Sequence, residues 1–176
     1  MKDLDYLDGR IGEGFGGRSP NGAHLNVVLA KRGSPTAAAA VSMFAHPSPG
    51  HVPVLVVTGA TQQEYEPVLP PTLMMNKATA LDDHHQTVTW GAAQLGIAQG
   101  VLDAVAEGLL EATQELLVLV AVWVEAAADD ETALRKGARE GMLKAIRVAV
   151  DGRDPESVRA QVAGRDALRS PFYGGD

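Results

Sequence analysis

The stretch "NGAHLNVVLAKRGSP" (Asn21–Pro35) carries the pattern from which the fold is read. Side chains of a strand alternate, so Leu25, Val27 and Leu29 point one way while His24, Asn26 and Val28 point the other. The first set is a core face. An imidazole and an amide therefore share the opposite face, within reach of one bound group. On an isolated strand such a pair is more often simply a solvated surface, and alone the signal is weak. Gly33 then turns the chain, Ser34 is suited to cap a helix, and Pro35 fits a first helical position where no amide donor is needed. The stretch predicts a strand, a tight turn and a helix.

Upstream, Arg10–Gly16 predicts a preceding strand, with Gly16, Gly17, Ser19, Pro20, Asn21 and Gly22 supplying the loop. The helix "SPTAAAAVSMFAHP" ends at Pro47 and Pro49. Val52–Thr58 is rich in β-branched residues and reads as a strand, followed by a Pro-containing loop and the strand "TLMMNKATA" (Thr72–Ala80). Asp82 and Asp83 open a long helix running to about Leu110. Leu116–Val124, "LLVLVAVWV", reads as a strand buried on both faces. Asp129–Val150 repeats apolar residues at Leu134, Ala138, Met142, Ile146 and Val150, the spacing of an amphipathic helix. A short helix from Asp154 and an irregular tail complete the chain, which shows no internal repeat. The expectation is one α/β domain with its sheet on one side and its long helices on the other.

Composition narrows the function classes. Fifteen Lys and Arg against twenty-two Asp and Glu give a net charge of -7, which argues against a nucleic-acid or anionic membrane surface. The chain has no cysteine, so disulfides and thiolate metal sites are excluded. The first ten residues are acidic and lack the apolar segment of a secretory signal. The run Leu116–Val124 is well short of the roughly 20 residues that span a bilayer. A cytoplasmic setting is expected.

Few side chains stand out chemically. In "TLMMNKATA", Leu73, Met75, Lys77 and Thr79 share one face, and a lysine and threonine at i, i+2 are able to bond a polar ligand. Gln94 sits among Gly91, Ala92, Ala93 and Gly96, where a flat ligand or another backbone can approach. "DDHH" (Asp82–His85) reads as a capping turn with two solvated histidines, since adjacent helical residues do not face one another. His46 and His51 flank a Pro-rich turn and read as structural. The glycine run Gly12–Gly17 is not a dinucleotide fingerprint, because no helix follows it.

Taken in order, these pieces resemble the formaldehyde-activating enzyme family, the tetrahydromethanopterin hydro-lyases. The matching segments are "IGEGFGG" with "NGAHLNVVLAKRGSP" (Ile11–Pro35), "TLMMNKATA", "WGAAQLGIAQGVLDAVAEGLL" (Trp90–Leu110) and "LLVLVAVWVEAAADD" (Leu116–Asp130). "SPF" at Ser170–Phe172 is similar to the family's His-Pro-Phe ending. The resemblance covers roughly residues 10–150 in family order. It implies an α+β fold, a two-layer α/β sandwich resembling the ribosomal protein S5 domain 2-like fold. One domain would span residues 1–176, with a short helix and tail over 151–176.

The implied activity is condensation of formaldehyde with tetrahydromethanopterin, a cosubstrate, to methylene-tetrahydromethanopterin and water, without prosthetic group or metal. The implied assembly is a homopentamer with the reduced pterin bound between subunits. By position, the family's catalytic histidine falls on His24 and its other pterin contacts on Asn26, Leu55, Lys77, Thr79 and Gln94. Hydroxide leaves a hydroxymethyl adduct poorly, so an acid must protonate it, and histidine is partly charged at neutral pH. Two departures stand against the pattern. Asn26 replaces an aspartate, which would leave His24 without a neighbouring charge and predicts that Asn26→Asp raises activity near pH 7. The family's His-Trp-Glu segment is altered to "WVEAA". The alternative is therefore a non-catalytic or differently specific paralogue that binds a reduced pterin, a folate or another carbonyl adduct.

Overall fold

The computed structural model describes residues 3–170. Pro171 and Phe172 of the "SPF" segment, and the tail beyond them, lie outside the described residues. A five-stranded sheet runs in the order β1 (Ile11–Gly16), β2 (Ala23–Lys31), β7 (Leu116–Val124), β6 (Thr72–Asn76) and β3 (Val54–Leu55). Every neighbouring pair is antiparallel except β6 with β7. The molecule is thus a mixed α+β structure.

The alternation in β2 is as expected: Leu25, Val27 and Leu29 are fully buried, while His24, Asn26 and Val28 are only partly so. Against the buried face lie α4 (Gln94–Ala106) and α5 (Glu131–Asp151), the latter capped by the Asp130 side chain. Ile97, Val101, Leu134, Met142 and Ile146 join Leu25 and Val27 in one core. Burying each such side chain stabilises by about 1.5–3 kcal/mol before entropy is counted.

The glycine run has a packing role. A Cβ at Gly12 would lie 1.9 Å from the Ala145 carbonyl oxygen, one at Gly14 2.2 Å from that of Gly141, and one at Gly16 2.1 Å from that of Gly137. Helix α5 therefore rests directly on the backbone of β1. The intervening residues Ile11, Glu13 and Phe15 are driven to the other face, where they are exposed.

That other face, here the open face, differs from the expectation of helices on one side alone. Helix α2 (Pro35–Ala45) crosses it, setting Ala37 and Ala40 against Val28, Ala30, Leu117 and Leu119. Its small residues permit the close approach. Ser34 caps it, accepting the Ala37 amide at 3.1 Å. Strand β7 is consequently not buried evenly: Leu116, Val118, Val120, Val122 and Val124 are buried, whereas Leu117, Ala121 and Trp123 are half-buried on the open face.

Three further elements depart from the sequence reading. The predicted strand Val52–Thr58 splits at buried Val56 into β3 and β4 (Val57–Thr58), and β4 pairs with a short β5 (Glu66–Pro67) in a second sheet. The long helix opens as α3 (Asp83–Val88) and passes through a widened π turn, Thr89–Ala93, before α4. The Thr89 hydroxyl donates to the His85 carbonyl at 2.7 Å at that point, a local bond that competes with regular helix. His85 is buried rather than solvated. Its Nδ1 accepts the Leu81 amide at 3.2 Å, and its Nε2–H donates to the Val124 carbonyl at 3.2 Å. Two short helices flank this frame, α1 (Leu4–Leu7), not expected from the sequence, and α6 (Pro155–Ala163).

Candidate active site

On the open face, α2 covers one end and leaves the other bare. At the bare end His24 on β2 stands opposite Phe15 of β1 and Trp123 of β7. Both ring nitrogens are held. Glu13 Oε1 lies 2.8 Å from His24 Nε2, and Lys77 Nζ lies 3.0 Å from His24 Nδ1. A lysine ammonium only donates, so Nδ1 accepts and Nε2–H donates to the Glu13 carboxylate. Burial pushes the Lys77 ammonium down from the ordinary lysine value, and the Glu13 charge opposes that shift without cancelling it. The result is a carboxylate, an imidazole and a weakened ammonium in one hydrogen-bonded line.

Beside this line, under α2, is a cavity of about 280 Å³ lined mostly by apolar groups, among them Met43, Phe44, Leu73, Met75 and Ala121. Asn26 and Thr36 are its polar groups. Because Asn26 follows His24 by two residues on the same face, the cavity adjoins the strand position of the imidazole. The arrangement offers an acid, a base and a cation next to an apolar slot.

The six residues expected at the site are distributed unevenly. His24, Asn26 and Lys77 come together. Leu55, paired with Leu73, shares the open face but sits three strands from β2, roughly 14 Å at ordinary strand spacing. Strand β6 ends at Asn76, so Thr79 is not on the strand with Lys77; it is exposed and packs beside Gly50. Gln94 begins α4, in the layer on the other side of the sheet from His24. His51, as expected, is structural: its ring bonds the Asn76 carbonyl at 2.8 Å.

Glu13 is the site residue that the sequence reading overlooked, and it corrects one inference. His24 does not lack a carboxylate because residue 26 is an amide; the charge comes from the neighbouring strand. The signal was present in "IGEGFGG", where alternate glycines mark one packed face and leave Glu13 on the face of His24. Among the described residues no group of three or more His, Cys, Asp or Glu is arranged to hold a metal ion.

A carboxylate–imidazole–ammonium line beside an apolar slot is acid–base equipment, and the comparisons give it a family. The family model described as Formaldehyde-activating enzyme (Fae) matches residues 11–172. The chain is 32% identical over 170 residues to "5,6,7,8-tetrahydromethanopterin hydro-lyase" of Methanosarcina barkeri, covering 96% of this chain and 92% of that relative. It is also 32% identical over 123 residues to "Bifunctional enzyme Fae/Hps" of Archaeoglobus fulgidus, and 29% over 144 residues to the one from Methanothrix thermoacetophila. It spans 29% and 36% of the length of these two. The protein belongs to the formaldehyde-activating enzyme family, a family of lyases.

Proposed function

We propose that the chain condenses formaldehyde with tetrahydromethanopterin, giving methylene-tetrahydromethanopterin and water, in one-carbon metabolism or formaldehyde detoxification. The observation that carries this is the clamped His24, between Glu13 and Lys77 and next to the apolar cavity. The similarity along nearly the whole length of a relative named as a tetrahydromethanopterin hydro-lyase supports the choice of substrate.

The steps balance without an outside reagent. One pterin amine adds to the carbonyl carbon, and its proton is lost as the oxygen gains one, giving a hydroxymethyl adduct. His24 then donates a proton to that oxygen; the C–O bond breaks, water leaves and an iminium remains. The second amine adds to the iminium carbon and loses its proton, which returns to the imidazole. Acid catalysis of this kind contributes about 10²–10⁴-fold. Holding the amines and the aldehyde carbon in register adds to it. No prosthetic group takes part in these steps; the pterin is a cosubstrate.

Asn26 and Lys77 then contact the pterin near the reacting centre, while Leu55, Thr79 and Gln94 serve its remainder. Gln94, on the opposite side of the sheet from His24, reaches the same ligand most simply from a second copy of the chain. That supports a homo-oligomer, a pentamer by resemblance, with sites between subunits. Exposed Val41, Met43, Phe44, Val52 and Leu55 offer apolar surface of the sort that such contacts cover. One sheet carrying the main core on one face and the small α2 cluster on the other supports one domain, and sheet plus α4–α5 layer supports the ribosomal protein S5 domain 2-like assignment. A cytoplasmic location is consistent with the described residues containing no helix long and apolar enough to cross a membrane.

The test is formation of methylene product from formaldehyde and tetrahydromethanopterin with wild type, with His24→Ala and with no protein. Acceleration that His24→Ala abolishes is expected. No acceleration by wild type would sink the assignment and favour the reading as a pterin or folate binder. That reading drew on Asn26 and on the altered "WVEAA" segment; the Glu13 carboxylate supplies the neighbouring charge that Asn26 lacks, and so weakens the first of these two grounds.

A further inference from the structure

We infer that Glu13 is the positioning residue of this reaction: its carboxylate fixes the His24 ring with Nε2–H toward itself and stands beside the charge that the ring carries when it acts as the acid. This rests on His24 being the acid.

The geometry assigns each proton. Glu13 accepts from Nε2, so Nδ1 is the only ring position at which His24 can gain a proton, and Lys77 Nζ is 3.0 Å from it. Passing a proton from the ammonium to Nδ1 leaves a neutral amine and an imidazolium whose Nε2–H still points at a carboxylate. Burial of Lys77 weakens the ammonium and favours that transfer. Without Glu13, the imidazolium would face only a neutral carboxamide at position 26, with no carboxylate to offset its charge.

Few other charges compete. From β1 only Glu13 faces the ring, and from the segment after β6 only Lys77. Strand β7 brings Trp123, and Glu125 just beyond it is bonded to Ser19 at 2.7 Å. Helix α2 carries no ionisable side chain, and the His51 ring is engaged by the Asn76 carbonyl. The glycine packing of β1 against α5 fixes the strand face on which Glu13 stands: Gly12 and Gly14 on either side are pinned to carbonyls of α5.

The experiment combines two readouts on wild type, Glu13→Gln, Glu13→Asp and the double variant Glu13→Gln with Asn26→Asp. The first is the titration midpoint of the His24 ring by NMR, which needs no activity. The second is the pH profile of kcat and kcat/KM. Glu13→Gln keeps an oxygen to accept from Nε2–H and removes only the charge. Its midpoint is expected to fall by roughly 0.2–0.7 pH unit, the reach of a largely exposed ion pair, with the alkaline limb of kcat/KM falling by the same amount. At pH 8 that is a loss of up to about fivefold, recovered at low pH. Since Glu13 and Asn26 are directly paired across the strands, the double variant should regain at least half of the shift. Glu13→Asp, one methylene shorter, should fall between. Glu13 is largely exposed, so these variants are expected to fold as wild type does, which circular dichroism checks. An unmoved midpoint in Glu13→Gln overturns the inference. A moved midpoint with an unmoved rate profile leaves Glu13 coupled to His24 but overturns the assignment of His24 as the acid.

Discussion

Glu13 and Asn26 are cross-strand partners on β1 and β2, and the carboxylate of the pair bonds the His24 ring while the amide lines the cavity. Adding a carboxylate at position 26 would therefore set two like charges directly opposite. Such a pair destabilises by about 0.2–1 kcal/mol. Asn26→Asp alone is expected to lower thermal stability by that amount and to change activity at pH 7 less than about twofold, because the charge is already supplied. Melting curves and initial rates at pH 7 check this; a several-fold gain would mean that Glu13 does not serve His24.

Lys77→Met keeps the chain length and removes the ammonium from Nδ1. A hydrogen bond involving a charged group is worth about 1.5–3 kcal/mol, so a loss of roughly 10–100-fold in kcat/KM is expected. Stability should respond in the other direction. The folded value of Lys77 lies below its ordinary 10.5, so between the two the unfolded chain holds a proton that the folded chain has released. Wild-type stability attributable to Lys77 therefore rises with pH through that window. Urea denaturation of both proteins from pH 7 to 10.5 should show Lys77→Met the more stable at pH 7 and its advantage shrinking above. A difference that does not change with pH would contradict the burial argument.

Two glycine substitutions are expected to have opposite signs. At Gly14 a Cβ would meet the Gly141 carbonyl oxygen at 2.2 Å and the Ala145 amide nitrogen at 2.8 Å, both backbone atoms that cannot step aside. Gly14→Ala should cost about 1–3 kcal/mol or more and reduce activity by displacing Glu13. At Gly91, in the π turn, an added Cβ meets nothing within 4 Å. Gly91→Ala should stabilise by about 0.4–1 kcal/mol through the unfolded chain. Chemical denaturation of both variants is the check, and a stable, active Gly14→Ala would mean that α5 does not rest on β1 as described.

If His24 and Gln94 reach one ligand from different copies, two inactive variants should repair each other. Co-refolding equal amounts of His24→Ala and Gln94→Ala should restore about a quarter of wild-type activity, the random share of sites built from two unaltered faces. Each variant refolded alone should remain inactive. Absence of any recovery in the mixture, with mixed oligomers verified by mass, would put both residues in one chain's site.

Much of this frame was legible because its signals are local. The alternation of "AHLNVVLAK" gave the faces of β2, and Ser34, Asp82, Asp130 and Asp154 each cap the helix that follows them. The features missed are those fixed by partners distant in sequence. Nothing local says that α2 lies across the sheet face opposite α4 and α5; the alanines permit it but name no side. The break at Val56 depends on its amide bonding the Thr72 carbonyl and its carbonyl bonding the Val68 amide. At the site, His24 was visible as a polar residue on a strand face, but its clamp joins residues 11 and 53 positions away.

The glycine seam between β1 and α5 does more than pack. A one-residue slip of β1 against β2 would swing Ile11, Glu13 and Phe15 into the helix and turn bare backbone toward His24. Such a chain could not close its core, so it would not persist as a folded but inactive species. Assembly of the site is in this sense proofread by folding: any molecule compact enough to survive already has its carboxylate aimed at the imidazole.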